Sequence, residues 1–223
     1  MIKLQQVSFS FKKGKPVFAD VDLEIRRGEF VVVTGPSGSG KTTLIRLLQM
    51  ELLPDSGVIS VGDYSSDRMN GSVFPHFKRR LGVIHQDFRL VQRLTVYENV
   101  ALALRIRGLP EREIKPRVLK TLREAGVSHA VYLYPGELSG GEKQKVALAR
   151  AIIGKPLVLL ADEPTALMDQ KAGEEILDLI RRINIGGTTV IMASHRNLGW
   201  DIDSMKVMEL KDGIITPAVY DEK

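Results

Sequence analysis

The sequence predicts an α/β fold with a mainly parallel core sheet, an antiparallel β segment at the N-terminus and an inserted helical lobe. Three observations predict it. Continuous apolar runs, EFVVVTG (29–35), PLVLLAD (156–162) and TTVIMAS (188–194), read as buried strands. Helical patterns separate these runs, as parallel pairing requires. The first residues instead alternate apolar and polar, the pattern of a half-buried antiparallel sheet.

Taken in order, KLQQVSFSF (3–11) and PVFADVDLEI (16–25) alternate with period two, and KKGK (12–15) between them reads as a hairpin turn. EFVVVTG ends at a glycine loop, after which Thr42, Leu44, Ile45, Leu47 and Leu48 mark a helix. LLPDSGVISVG (52–62) contains a turn at Pro54 to Gly57 and then a short strand. From about Thr95 the pattern turns helical. Thr95 with Glu98 three residues on forms a capping-box pattern. LPEREIKPRVLKTLREAG (109–126) carries its charges on one face and ends at Gly126, a C-cap signal. Pro116 marks a helix start or a kink. The helical part covers roughly 87–140, inserted in a domain of 1–223. Beyond it come a second glycine turn with its helix, the strand PLVLLAD, and a helix from about Gln170 to Ile183. The strand TTVIMAS, a short helical region and the hairpin KVMELKDGII (206–215) follow.

With 223 residues the chain can bury one substantial core, and 43% hydrophobic with 26% charged residues is an ordinary globular balance. The absence of cysteine excludes disulfides and thiolate metal sites. MIKLQQVSFS has no apolar signal core, and the apolar runs are too short to cross a bilayer. The net charge of +5 is spread widely, and clusters such as FKRR (77–80) are short. They read as a solvated surface, and no nucleic-acid partner is expected.

The first glycine loop comprises Gly35, Pro36, Ser37, Gly38, Ser39, Gly40, Lys41, Thr42 and Thr43. It fits G-x-x-x-x-G-K-[ST] between a buried strand and a helix, a nucleoside-triphosphate site. Backbone N–H groups and the helix N-terminus suit phosphate. Lys41 reaches the β- and γ-phosphates, the Thr42 hydroxyl suits Mg²⁺, and Thr43 suits the α-phosphate. At the end of LVLLADEPT (157–165), Asp162 is placed to hold Mg²⁺. Adjacent strand residues point to opposite sides, so Glu163 is expected to face the γ-phosphate as general base. No N-K-x-D segment is present to read guanine.

The second loop, LSGGEKQ (138–144), repeats the physics of a helix N-terminus: Ser139 can cap the helix, and Gly140 and Gly141 allow close backbone approach. One phosphate site is already present, so a second invites a second molecule as the source of its nucleotide.

Together these motifs resemble the nucleotide-binding domains of ABC proteins, over nearly the whole chain. The order is Phe11, GPSGSGKTT, Gln86, LSGGEKQ, LVLLADEP, ALMD (166–169) and ASH (193–195). The resemblance implies the ABC ATPase fold of the P-loop NTPases, ATP and Mg²⁺ as ligands, and ATP hydrolysis. It implies that Phe11 stacks on adenine, although Phe9 shares its strand face and the period does not separate the two. It implies Gln86 at Mg²⁺ or the attacking water, Asp169 at a dimer seam and His195 on the γ-phosphate. It also implies a homodimer, with Ser139, Gly140, Gly141 and Glu142 of one copy closing on ATP held by the other. Two departures stand out. Met168 replaces the usual leucine before Asp169, and Lys145 stands where many relatives have arginine.

In this family the surface near Gln86 faces an integral membrane partner. Here it reads VIHQDFRLVQRLTVYENVALAL (83–104) and looks most like the cell-division subgroup. Gln86, Asp87, Thr95, Val96, Tyr97, Glu98, Asn99 and Val100 carry that likeness. Lipoprotein-releasing and macrolide-exporter ATPases share the architecture and are the alternatives; His85 stands where relatives often have phenylalanine, and Leu94 where division proteins often have a basic residue. The expected setting is peripheral, on the cytoplasmic face of the plasma membrane, with a permease partner docking near Gln86 and the helical lobe. A soluble ABC ATPase acting on DNA or ribosomes fits less well, as those carry tandem domains or long coiled coils. The ending DGIITPAVYDEK (212–223) carries no regulatory domain, which disfavours the sugar-importer type.

Overall fold

The computed structural model describes residues 1–11, 16–166, 168–195 and 205–218. The expected KKGK turn and the short helical region after TTVIMAS lie outside the described residues. In chain order the elements are β1 (Ile2–Phe9), β2 (Phe18–Ile25), β3 (Phe30–Thr34), α1 (Lys41–Leu48), β4 (Ser56–Val61), β5 (Tyr64–Ser65) and α2 (Phe74–Lys78). Then follow β6 (Leu81–Ile84), α3 (Val96–Arg105), α4 (Glu111–Glu124), α5 (Gly140–Ile152) and β7 (Val158–Asp162). The last are α6 (Gln170–Ile185), β8 (Thr189–Ala193), β9 (Lys206–Lys211) and β10 (Ile214–Pro217). Two compact units share the chain: Met1–Lys78, Ala161–Glu163 and Thr189–Lys223 form the first, Arg79–Leu160 and Pro164–Thr188 the second.

The first unit holds an antiparallel sheet in the order β2-β1-β4-β5. Its register pairs Ile2 with Ile25 and Leu4 with Leu23, so the apolar alternation of both strands falls on one buried face. A bulge between Leu4 and Val7, with Gln6 at φ 49°, resets the alternation so that Val7 and Phe9 also turn inward. Opposite it, a Cβ on Gly57 would lie 2.2 Å from the Gln6 carbonyl oxygen, so only glycine fits. The same unit contains strands in the order β10-β9-β3-β8. β3 runs parallel to β8 and to β9, with Val33 beside Ala193 and Met208. Phe30 to Val33 are all buried, which is why this strand reads as an unbroken apolar run. β9 and β10 form the expected hairpin, turning at Asp212 and Gly213, both with positive φ.

The second unit is mainly helical, with β6 and most of β7. Thr95 caps α3 through the full reciprocal capping box with Glu98. α4 runs through Pro116 and is followed by Gly126 at φ 73°, the left-handed residue that stops it. Val96, Val100 and Leu104 of α3 cluster with Ile114, Val118 and Leu122 of α4 and Val146 and Ala149 of α5. The spacing of three and four along each helix produces this single apolar face.

Candidate nucleotide site and signature turn

The first glycine loop leaves the carboxyl end of β3 and enters α1 through Gly40 at φ 109°, with no side chain capping the helix. The first N–H groups of α1 therefore lack a side-chain acceptor, the arrangement that receives an anion. Gly35, at φ 147°, packs so closely that a Cβ there would lie 2.3 Å from the Leu210 carbonyl oxygen. Lys41 is 4% exposed. Its Nζ donates to the carbonyls of Gly35 (2.8 Å) and Pro36 (3.0 Å) and stands 3.1 Å from His195 Nδ1. Burial lowers the Lys41 pKa, while Glu163 and Asp162 pull it back up. Ser39 Oγ is buried in the loop with no hydrogen-bond partner. An orphaned hydroxyl beside bare helix N–H groups is what a phosphate-filled loop leaves when seen alone.

Thr42 Oγ1 donates to Asp162 Oδ1 at 3.2 Å, joining the start of α1 to the end of β7. β7 stops at Asp162. Glu163 therefore does not continue a strand: it takes φ 51°, and its N–H donates to the Ala193 carbonyl at 3.1 Å. Asp162 and Glu163 take different partners, Thr42 and His195, and the left-handed backbone of Glu163 at the strand end, rather than strand alternation, sets its course. Glu163 Oε1 lies 2.6 Å from His195 Nε2. Burial raises the Glu163 pKa, and His195 and Lys41 oppose that rise. Lys41, His195 and Glu163 thus form one chain of contacts, with Thr42 and Asp162 paired in the same unit. Thr42 and Asp162 present a hydroxyl and a carboxylate together, oxygen donors of the kind a hard divalent cation takes.

Phe9 is 6% exposed and Phe11 59%. Their rings meet edge to face at 5.1 Å, with Phe9 in the core and Phe11 left to solvent.

The other predicted residues lie in the second unit. Gln86 stands in the turn after β6. Beyond Asp87, Phe88 and Arg89 have φ 58° and 47°, and their carbonyls accept from the Arg150 guanidinium at 2.8 and 2.6 Å. Buried Asn99 holds the following segment: its Oδ1 accepts the Val91 N–H, and its Nδ2 faces the carbonyls of Val91, Leu94 and Thr95. Sequence reasoning assigned no role to Arg150 and treated Asn99 only as a mark of likeness. Arg150 meets carbonyls 61 and 62 residues away, which no local pattern reports.

Ser139 is the N-cap of α5. Its hydroxyl accepts the Glu142 N–H, and Glu142 returns to the Ser139 N–H, a complete capping box. Asp169 caps α6 by accepting the Ala172 N–H at 2.9 Å. A Cβ on Gly141 would come 3.9 Å from Ala172, so the signature turn LSGGEKQ (138–144) and the start of α6 are neighbours. Lys145 replaces arginine yet still bonds across to α6, at 2.6 Å from Glu175.

A model of the ABC transporter family matches residues 18–166. Over 214 residues the chain is 43% identical to the cell division ATP-binding protein FtsE of Mycobacterium tuberculosis, covering 96% of this chain and 93% of that protein. The chain is an ABC-type ATPase. A second relative of this ABC ATPase, FtsE of Bacillus subtilis, is 38% identical over 215 residues, covering 96% of this chain and 94% of its own length. Among solved structures, the dimeric post-hydrolysis state of the ATP-binding cassette MJ0796 bound to ADP and Pi matches with a TM-score of 0.85. Its identity is 32%, with 96% of both chains covered. As an ABC ATPase the chain binds and hydrolyses ATP, and among the described residues no helix is long and apolar enough to cross a membrane.

Proposed function

We propose that this ABC ATPase is the FtsE-like subunit of a membrane complex. In it, ATP turnover moves an FtsX-like permease during cell division and so regulates cell-wall hydrolysis. The likeness to two FtsE proteins along almost their full lengths carries this reading. A LolD- or macrolide-exporter-type role in lipoprotein or small-molecule export is the second reading. Leu94, which stands where division proteins often have a basic residue, is the observation behind it. The protein would sit peripherally on the cytoplasmic face of the plasma membrane, its partner docking near Gln86 and the helical lobe.

Within the subunit, the loop Gly35 to Thr43 wraps the phosphates of ATP, and Lys41 turns from its loop carbonyls to the β- and γ-phosphates. Phe11 stacks on the adenine. Thr42 and Asp162, with Gln86, would hold Mg²⁺, which when bound draws charge from the phosphate oxygens. Glu163 accepts a proton from water, whose oxygen attacks the γ-phosphorus. The bond to the bridging oxygen breaks, and ADP leaves with the electron pair. His195 holds the γ-phosphate, and its contact with Glu163 keeps the base aimed. Two copies pair head to tail, so that Ser139, Gly140 and Gly141, with Glu142 as the cap that holds their turn, and Asp169 of each face the ATP of the other. Support for pairing comes from the dimeric cassette that this chain resembles.

Glu163→Gln tests the core of this reading. It should bind ATP, hydrolyse it about 10²- to 10⁴-fold more slowly, and accumulate as a dimer in size-exclusion chromatography at high protein concentration. A monomer turning over ATP at the unaltered rate would overturn the roles given to Glu163 and the signature turn.

A further inference from the structure

One titratable side chain outside the predicted motifs reaches into the signature turn. His129 stands in a 3-10 turn at Ser128–Ala130, and its Nε2 lies 2.7 Å from Glu142 Oε1. Because a carboxylate only accepts, His129 must carry its hydrogen on Nε2 and donate it. The other carboxylate oxygen, Glu142 Oε2, accepts from the Ser139 N–H at 2.8 Å and from the Ser139 hydroxyl at 2.7 Å. Both carboxylate oxygens are committed, and the single hydroxyl hydrogen of Ser139 points inward.

That arrangement has a consequence for phosphate. The oxygens of bound ATP accept hydrogen bonds, so Ser139 can reach them only by withdrawing its hydrogen from Glu142. Glu142 then keeps the Ser139 N–H on Oε2 and His129 on Oε1. Without His129 its carboxylate could rotate about the broad terminal torsion and meet the incoming phosphates, where like charges repel.

We propose that His129 is a positioning residue for the ATPase: by holding Glu142 Oε1 it keeps the carboxylate anchored while the Ser139 hydroxyl turns to the ATP of a second copy. This rests on the reading that the signature turn closes on a partner's nucleotide. The Glu142 carboxyl is held down at about 2, first by Ser139 and then by His129, so it remains charged throughout the neutral range. The side chain of His129 is 62% exposed and that of Glu142 30%, so solvent screening keeps the effect modest.

The test uses the full chain in the Glu163→Gln background, with ATP titrated and dimer followed by analytical ultracentrifugation. His129→Ala should raise the ATP concentration for half-maximal dimer about threefold. Binding of a fluorescent ATP analogue to the monomer, and the melting temperature, should stay as in the parent. Adding Glu142→Gln to His129→Ala should restore the midpoint, because a neutral amide does not repel phosphate. An unmoved midpoint, a shift that Glu142→Gln leaves in place, or a shift matched by lower melting temperature would each overturn the role of His129. If the Glu163→Gln parent itself stays monomeric at saturating ATP, pairing fails and the inference with it. If the parent pairs normally, only the role of His129 is at stake.

Discussion

Lys41 and His195 are 154 positions apart in the chain and 3.1 Å apart at their side-chain nitrogens. Each was legible in the sequence: Lys41 from the glycine loop ahead of it, His195 from its place after an apolar strand. Their contact with each other was not, since it depends on β3 and β8 lying side by side. The two phenylalanines make the same point. Phe9 is the last residue of β1 and faces the core, whereas Phe11 lies beyond the strand and is free to meet a ring. Substitution should separate them. Phe11→Ala should weaken ATP binding about tenfold through lost stacking and leave the melting temperature alone. Phe9→Ala should instead cost about 3 kcal/mol of stability, read by chemical denaturation, and leave the affinity of the folded fraction nearly unchanged.

The helices show what local pattern can and cannot specify. The capping boxes of α3 and α5 are complete because serine or threonine three residues before glutamate is a local device. Ser139→Ala should cost about 1 kcal/mol. The linkage follows from Glu142, whose carboxyl is lowered from 4.5 to about 2. Its stabilising contribution is present above the ordinary carboxylate range and is lost as pH falls towards 2. Ser139→Ala, which removes the largest cause of that lowering, should make the acid loss of stability shallower in melting curves across this range. Asn99 is the opposite case. Nothing nearby in sequence announces that its amide bonds Val91, Leu94 and Thr95 at once, fixing the stretch that leads into α3. Asn99→Ala takes the amide's bonds from the part-buried Val91 N–H and Leu94 carbonyl, while the Val91 and Thr95 carbonyls keep backbone donors; it should cost about 1–3 kcal/mol, measured by urea unfolding. It should also disturb partner docking before it disturbs ATP binding.

At the scale of the whole molecule, the proposed partner makes a prediction of its own. Expressed alone, the chain should stay in the supernatant when membranes are sedimented; co-expressed with an FtsX-like permease, it should pellet with them. Pelleting to the same extent without a permease would overturn that partnership. The α/β class, the two glycine turns and the carboxylates that close the apolar run of β7 were all legible in local pattern. These depend on short-range physics: glycine where positive φ is needed, a hydroxyl before a helix, an apolar run ending in charge. Packing, by contrast, set Glu163 on a left-handed backbone against His195, left Phe11 rather than Phe9 exposed, and braced the chain after Gln86 with Arg150 and Asn99. It alone decided that His129 reaches Glu142 in the signature turn. Those outcomes depend on which distant segments pack together, and packing is settled by the burial of whole strands and helix faces, not by any residue's neighbours in the chain.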